Sequence, residues 1–231
     1  DGLRKVFEWF LGKVVNETIQ RTDKELLVKM VKYFDLQSDY GVEKFLWNGK
    51  RNTAAMISDI CEYEPRNIRI VDEYEELIKK EPERKTLILS GRREQLKTLE
   101  NILIDRGYRS IGYYVGGMKE ADLKKSESRD IILATYSMAA EGMDIPVLNT
   151  LILASSIGDI EQAVGRIQRQ KAHERKYVPY IIEMWDQYSL FQTQGLRHIR
   201  FYKKNGYTFV SEQCENINVD DNDSSSEETI K

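Results

Sequence analysis

Residues 159–169, Asp-Ile-Glu-Gln-Ala-Val-Gly-Arg-Ile-Gln-Arg, hold the strongest chemical signal in the chain. At helical spacing Ile160, Ala163, Val164 and Ile167 share one face, while Gln162, Arg166 and Arg169 share the opposite one. One face packs and the other presents two guanidiniums. An ordinary solvated surface also carries arginines one turn apart, but like charges at that spacing repel unless an anion lies between them. Gly165 adds a second hint, because a glycine inside a helix costs about 1 kcal/mol relative to alanine. The expectation is that something approaches the backbone there.

A second group of candidates lies where apolar runs end in small and hydroxylated residues: Leu-Ile-Leu-Ser-Gly at 87–91, Ile-Leu-Ala-Thr at 132–135 and Leu-Ile-Leu-Ala-Ser-Ser at 151–156. Such residues are also what turns and helix caps prefer, so any single one is ordinary. Three together, next to a cationic helix, suggest one binding edge. In open parallel sheets ligands bind beyond the carboxyl ends of the strands.

The elements that must position these residues can be read in order. Leu3, Val6, Phe7, Phe10 and Leu11 recur at helical spacing. Extended segments are expected at 14–19 and 26–34, then a loop over 35–51 with a short strand or helix inside it. A helix from Thr53 stops at Pro65, and another runs from about Asn67 to Lys80. Strands at 86–89, 110–115, 130–134, 150–154 and 178–184 alternate with helices at 93–106, through Met138 and Ala140, and at 159–169. A last helix at 188–205 and a short strand at 207–210 follow. Near-continuous apolar strands alternating with helices predict an α/β fold, a three-layer domain whose mainly parallel sheet is covered on both faces.

Composition limits the alternatives. The 231 residues are 41% hydrophobic and 32% charged, enough for one good core. Cys61 and Cys214 are far apart and have no ligand-spaced neighbours, so neither a zinc site nor a disulfide framework is expected. His173 and His198 are isolated and receive no role. No apolar run reaches the roughly 20 residues of a membrane span. The net charge is -3, with seven acids against Lys231 over 211–231, so the rest of the chain is mildly basic. That suits a phosphate backbone without identifying one.

Gln162-x-x-Gly165-Arg166-x-x-Arg169 resembles motif VI of superfamily-two helicases and nucleic-acid translocases. Ala134-Thr-Tyr-Ser-Met-Ala-Ala-Glu-Gly-Met-Asp-Ile-Pro146 is similar to motif V, Leu87 to Arg93 to motif IV, and Tyr114-Val-Gly-Gly-Met118 to the glycine turn that follows it. The match covers about 86–170, and the order is that of the family's second RecA-like domain. What the resemblance implies is specific. Ser90, Gly91, Arg92, Arg93, Gly116, Gly117 and Thr135 would touch the backbone of one nucleic-acid strand. Gly142, Asp144 and Gln162 would lie at the nucleotide, with Asp144 able to accept from a ribose hydroxyl. Arg166 would approach the phosphates, and Arg169 would be the arginine finger.

The same resemblance organises the chain. ATP and Mg²⁺ would be held mainly by an upstream RecA-like domain, since the chain has neither a Gly-x-x-x-x-Gly-Lys-Ser/Thr loop nor an acidic cluster after an apolar strand, and no metal ligand is assigned here. Residues 1–22 would be the remnant of that domain and a linker, 23–210 the second RecA-like domain, and 211–231 an acidic disordered tail. The parent would be an ATP-dependent helicase, with this chain inactive alone. A motif VI that starts with Gln162 favours DNA over RNA or an RNA–DNA hybrid. The opening Asp1 to Gly12 is also similar to helicases of large cytoplasmic DNA viruses, including the poxvirus transcript-release type. This implies a cytoplasmic or virion location, off the membrane. Two other classes remain open: a nucleic-acid-binding or annealing module without motor activity, and a small-molecule enzyme whose Arg166 and Arg169 bind a phosphorylated substrate.

Overall fold

The structure, a computed structural model, describes residues 25–36, 39–140 and 143–210. The readings made above for 1–22 and 211–231, and for Gly142, lie outside the described residues.

Seven strands form one sheet: β1 (Leu27–Tyr33), β2 (Thr86–Ser90), β3 (Ile111–Tyr114), β4 (Ile131–Thr135), β5 (Thr150–Leu153), β6 (Tyr180–Asp186) and β7 (Thr208–Phe209). Their order across the sheet is β3-β4-β2-β5-β6-β1-β7, and every pairing is parallel. The helices are α1 (Thr53–Glu62), α2 (Glu64–Lys80), α3 (Arg93–Asp105), α4 (Glu120–Glu127), α5 (Tyr136–Ala140), α6 (Glu161–Arg166) and α7 (Ser189–Lys204). Alternate strand residues serve two cores. Leu87, Leu89, Ile132, Ala134, Leu151, Leu153 and Ile181 meet Ala139, Ala163, Val164 and Ile199 from α5, α6 and α7. Ile88, Ile131, Leu133, Ile152 and Ile182 meet Ile70, Val71, Leu96 and Leu103 from α2 and α3. The result is the three-layer α/β arrangement, since a parallel sheet needs cover on both faces.

Several elements depart from the periodicity reading. Pro65 does not stop a helix. It lies in the first turn of α2, where its missing N–H costs nothing, and α1 ends before it at Glu62. The α4 helix was not anticipated, because its eight residues, Glu-Ala-Asp-Leu-Lys-Lys-Ser-Glu, have Leu123 as their one large apolar side chain. The third departure concerns the motif VI helix, α6, which ends at Arg166, so Arg169 lies beyond it. Ile167 is the C-cap, and the chain has left helical geometry three residues earlier than the pattern implied. Among the described residues no helix is long and apolar enough to cross a membrane.

Candidate nucleotide and strand-binding edge

Every parallel strand presents its carboxyl end to the same edge, so the candidates on β2, β4 and β5 arrive there together. Ser155 ties these ends to one another. Its Oγ accepts from the Gly91 backbone N–H at 2.8 Å, and its carbonyl accepts from the Tyr136 hydroxyl at 2.6 Å. Behind it the Ala154 carbonyl accepts from Arg66 Nη1 at 2.6 Å and from Gln95 Nε2 at 3.3 Å.

Each proposed strand contact can now be placed. Ser90 is buried, and its hydroxyl donates to Gln95 Oε1 at 2.6 Å while accepting from the Arg92 backbone N–H at 3.0 Å. These two bonds shape the β2 turn. Gly91 is exposed at the tip. Arg92 is half-buried and fastens α1: Nε donates to Ser58 Oγ and Nη2 to the Ala54 carbonyl, both at 3.0 Å. Arg93 is exposed and reaches the Gly116 carbonyl at 2.7 Å, which brings the β2 turn to the Gly116–Gly117 turn after β3. Thr135 is half-exposed at the end of β4, its hydroxyl 3.3 Å from that of Ser137. The outward groups at this edge are therefore Gly91, Arg93, Gly116, Gly117 and Thr135.

The second group lies beyond β5. As expected, Ile160, Ala163, Val164 and Ile167 are buried. Asp159 Oδ1 accepts from the Glu161 N–H at 2.9 Å and starts the helix. Gln162 is exposed in a shallow cleft with Tyr136, Ala140 and Asp159. Arg166 donates to the Met143 carbonyl at 2.6 Å and the Ala140 carbonyl at 2.9 Å, holding both flanks of the motif V turn. Arg169 pairs with Asp144. The structure thus joins motif V and motif VI residues 20 or more positions apart in sequence. A Cβ built on Gly165 meets nothing within 4 Å, so no described part of the chain explains that glycine by close approach.

Electrostatics give this corner an unmet need. Partial burial first, then the neighbouring Arg169, holds the Arg166 guanidinium below its ordinary pKa. Its Nε is buried without a hydrogen-bond partner among the described groups. Among the described residues Arg169 pairs with the carboxylate of the exposed Asp144, and Arg166 donates to two carbonyls. An anion such as a phosphate suits two neighbouring guanidiniums of this kind. A metal does not fit the described residues, since no group of three or more His, Cys, Asp or Glu side chains there could hold one.

Sequence reasoning missed the side chains that hold the edge together. Arg66, in the first turn of α2, is fully buried. Its Nε and Nη2 meet the two carboxylate oxygens of Asp186 at 2.6 and 3.0 Å. Burial opposes the Arg66 charge, but the Asp186 carboxylate more than offsets that and the pKa rises. Tyr40 also donates to Asp186. On the other face Glu183 accepts from the Tyr202 hydroxyl at 2.6 Å and pairs with His198 Nδ1 at 2.6 Å. No periodicity signals a buried charge, because its partner lies more than a hundred residues away in the case of Arg66.

Over residues 69–171, the stretch that holds the strand-end turns, α5 and α6, the chain matches the family described as the helicase conserved C-terminal domain. A "Putative ATP-dependent RNA helicase" of Acanthamoeba polyphaga mimivirus is 32% identical over 213 residues, covering 90% of this chain and 40% of that protein. The chain therefore spans less than half the length of that relative. Among solved structures, T4 UvsW superimposes with a TM-score of 0.58 at 17% identity, over 80% of this chain and 41% of that one. S. cerevisiae Dbp5 bound to RNA and ADP BeF3 gives 0.51 at 14% identity, over 81% and 42%. At such identities the structural likeness speaks for the fold.

Proposed function

We propose that this chain is the C-terminal half of an ATP-dependent nucleic-acid helicase or translocase, in which it grips one strand and completes the nucleotide site of an upstream RecA-like domain. The observation that carries the reading is the corner where Arg166, Arg169 and Asp144 meet, a cationic pair with one carboxylate and an orphaned Nε, beside the exposed Gln162. Bound ATP supplies the phosphoanhydride whose cleavage drives such a motor. The chain's own residues bind and orient. Arg166 fixes the motif V turn while offering its remaining N–H, and Arg169 swings from Asp144 towards the γ-phosphate as the arginine finger, leaving that carboxylate free for a ribose hydroxyl. Mg²⁺ belongs to the upstream domain in this proposal. The mimivirus relative, of which this chain spans 40%, has length to spare for such a domain.

Gly91, Arg93, Gly116, Gly117 and Thr135 would hold phosphates and sugars without reading bases. DNA is the proposed strand, on the Gln162-first form of motif VI. The name of the mimivirus relative points instead to RNA, so both belong in the test.

That test uses the full-length parent. Arg169→Ala should leave ATP binding nearly intact while hydrolysis falls roughly 10³-fold or more, measured with single-stranded DNA and RNA as stimulants. The control is Ile167→Ala, whose buried side chain costs about 2–5 kcal/mol of stability and leaves the turnover of folded protein close to normal. Hydrolysis at the wild-type rate in Arg169→Ala would sink the arginine-finger assignment.

A further inference from the structure

The loop after β1, outside every helicase motif named above, carries a cluster of solvent-facing apolar groups. Residues 44–52 fold into a short hairpin. Phe45 bridges antiparallel to Arg51, the Asn52 N–H donates to the Lys44 carbonyl at 2.7 Å, and the Leu46 N–H to the Lys50 carbonyl at 2.7 Å. The tip is closed by the Gly49 N–H on the Leu46 carbonyl at 3.0 Å and by the Lys50 N–H on Asn48 Oδ1 at 3.1 Å. Gly49 has φ +78°, the left-handed conformation that ends this class of three-residue hairpin loop and that side-chain-bearing residues adopt at a cost. The tip is thus built rather than slack, and Trp47 stands on it 98% exposed, with Phe45 57% and Leu46 43% exposed beside it.

An indole held fully in water by an ordered turn is unusual, because tryptophan is highly buried on average. Its surroundings indicate what it meets. The segment 44–52 contains Lys44, Lys50 and Arg51 and no acid. Lys44 pairs with Asp59 and Arg51 with Glu43, both across exposed surface where such pairs are weak and exchangeable. The hairpin is also anchored to the strand-binding edge. Asn52 Oδ1 caps α1 by accepting from the Ala55 N–H at 3.1 Å, and two residues on the Ala54 carbonyl takes the Arg92 guanidinium from the β2 turn.

We propose that the Lys44–Asn52 hairpin is a stacking finger for single-stranded nucleic acid, with Trp47 lying on a base and Lys44, Lys50 and Arg51 over the flanking phosphates. Aromatic faces serve every base equally, so the finger adds grip without sequence preference. An exposed indole on a hairpin whose charged side chains are all cations matches a strand, which is itself a row of π-faces joined by phosphates. The proposal rests on the strand-gripping function argued above and names a further site for it.

The experiment is equilibrium binding of the 231-residue chain to fluorescently labelled oligothymidylate and oligouridylate, with blunt duplex DNA for comparison. Trp47→Ala should weaken single-strand binding by roughly 5- to 150-fold, Trp47→Phe should keep most of the affinity, and the duplex should be little affected. Lys50→Gln should lower the salt slope by about one unit or slightly less. Trp47 is exposed, so its variants should melt with the wild type. Wild-type affinity in Trp47→Ala, alongside weakened binding in Arg93→Ala, would overturn the finger and keep the strand-gripping edge. A wild-type chain that binds neither oligonucleotide overturns both. If Trp47→Ala instead shifts the sedimentation of the chain and leaves strand binding alone, the hairpin is a protein contact and the proposal is wrong.

Discussion

Arg66→Met removes the cation that holds the carboxyl ends of β5 and β6 together. Three hydrogen bonds are lost: two to the Asp186 carboxylate and one to the Ala154 carbonyl. Both side chains are at most 1% exposed, so the carboxylate left behind cannot recover its solvation. Breaking a buried pair by removing one partner costs about 3–5 kcal/mol. That is a large share of the roughly 5–15 kcal/mol by which domains are stable. At about 2–4 °C per kcal/mol for a domain of this size, the melting midpoint should fall by roughly 6–20 °C. Urea titration followed by circular dichroism measures the same loss at constant temperature. The double variant Arg66→Met/Asp186→Leu should recover most of it, since an apolar replacement of both partners is often neutral. It should stop short by about 1 kcal/mol, because the Tyr40 hydroxyl then no longer donates to Asp186. A loss below about 1 kcal/mol in Arg66→Met, or a double variant no better than the single, would refute the reasoning.

Two further outcomes concern α7. Burial by itself would lower the His198 pKa, but the Glu183 carboxylate beside it more than offsets this and lifts it above 6.5. A folded-state pKa raised above the unfolded value stabilises below 6.5, and that contribution disappears as pH rises through the folded value. Stability should therefore decline from pH 6.5 upward in the wild type and flatten in His198→Gln; matching pH profiles by urea unfolding would contradict the pair. Gly195 packs its bare Cα on the Trp185 indole, so a Cβ there would overlap the ring. Gly195→Ala should destabilise by about 1–3 kcal/mol from overpacking, whereas helix propensity alone predicts a gain of up to about 1 kcal/mol. The sign of the melting shift decides between them.

The centre of the sheet was legible because β2, β4 and β5 are near-continuous apolar runs, and the inward face of α6 because Ile160, Ala163, Val164 and Ile167 keep helical spacing and are all buried. What periodicity could not give was the end of that helix. Ile167 satisfies the pattern as a C-cap residue just as well as it would in mid-helix, so Arg169 was assigned to a face that stops at Arg166. Polar residues were harder still. Ser90 and Arg92 have the types that grip phosphates, yet Ser90 is spent on its own turn and Arg92 on α1. Arg66 reads as a surface residue, and only the fold reveals the aspartate 120 positions away that makes its burial tolerable. Trp47 falls in the loop expected over 35–51, but no pattern in that loop shows that an ordered hairpin holds it in solvent.

The cross-links around Ser155 have a mechanical meaning. Gly91, Tyr136, Arg66 and Gln95 reach it or its neighbour Ala154 from four different elements, so the turns of the edge share a single knot. A push delivered at one turn is carried by all of them, because none can yield without breaking bonds that belong to the others. Loads arriving near α6 therefore reach the β2 turn through a stiff plate rather than a string of independent loops. For the motor proposed above this stiffness has a use, since displacement absorbed by its own deformation would be displacement the strand never receives.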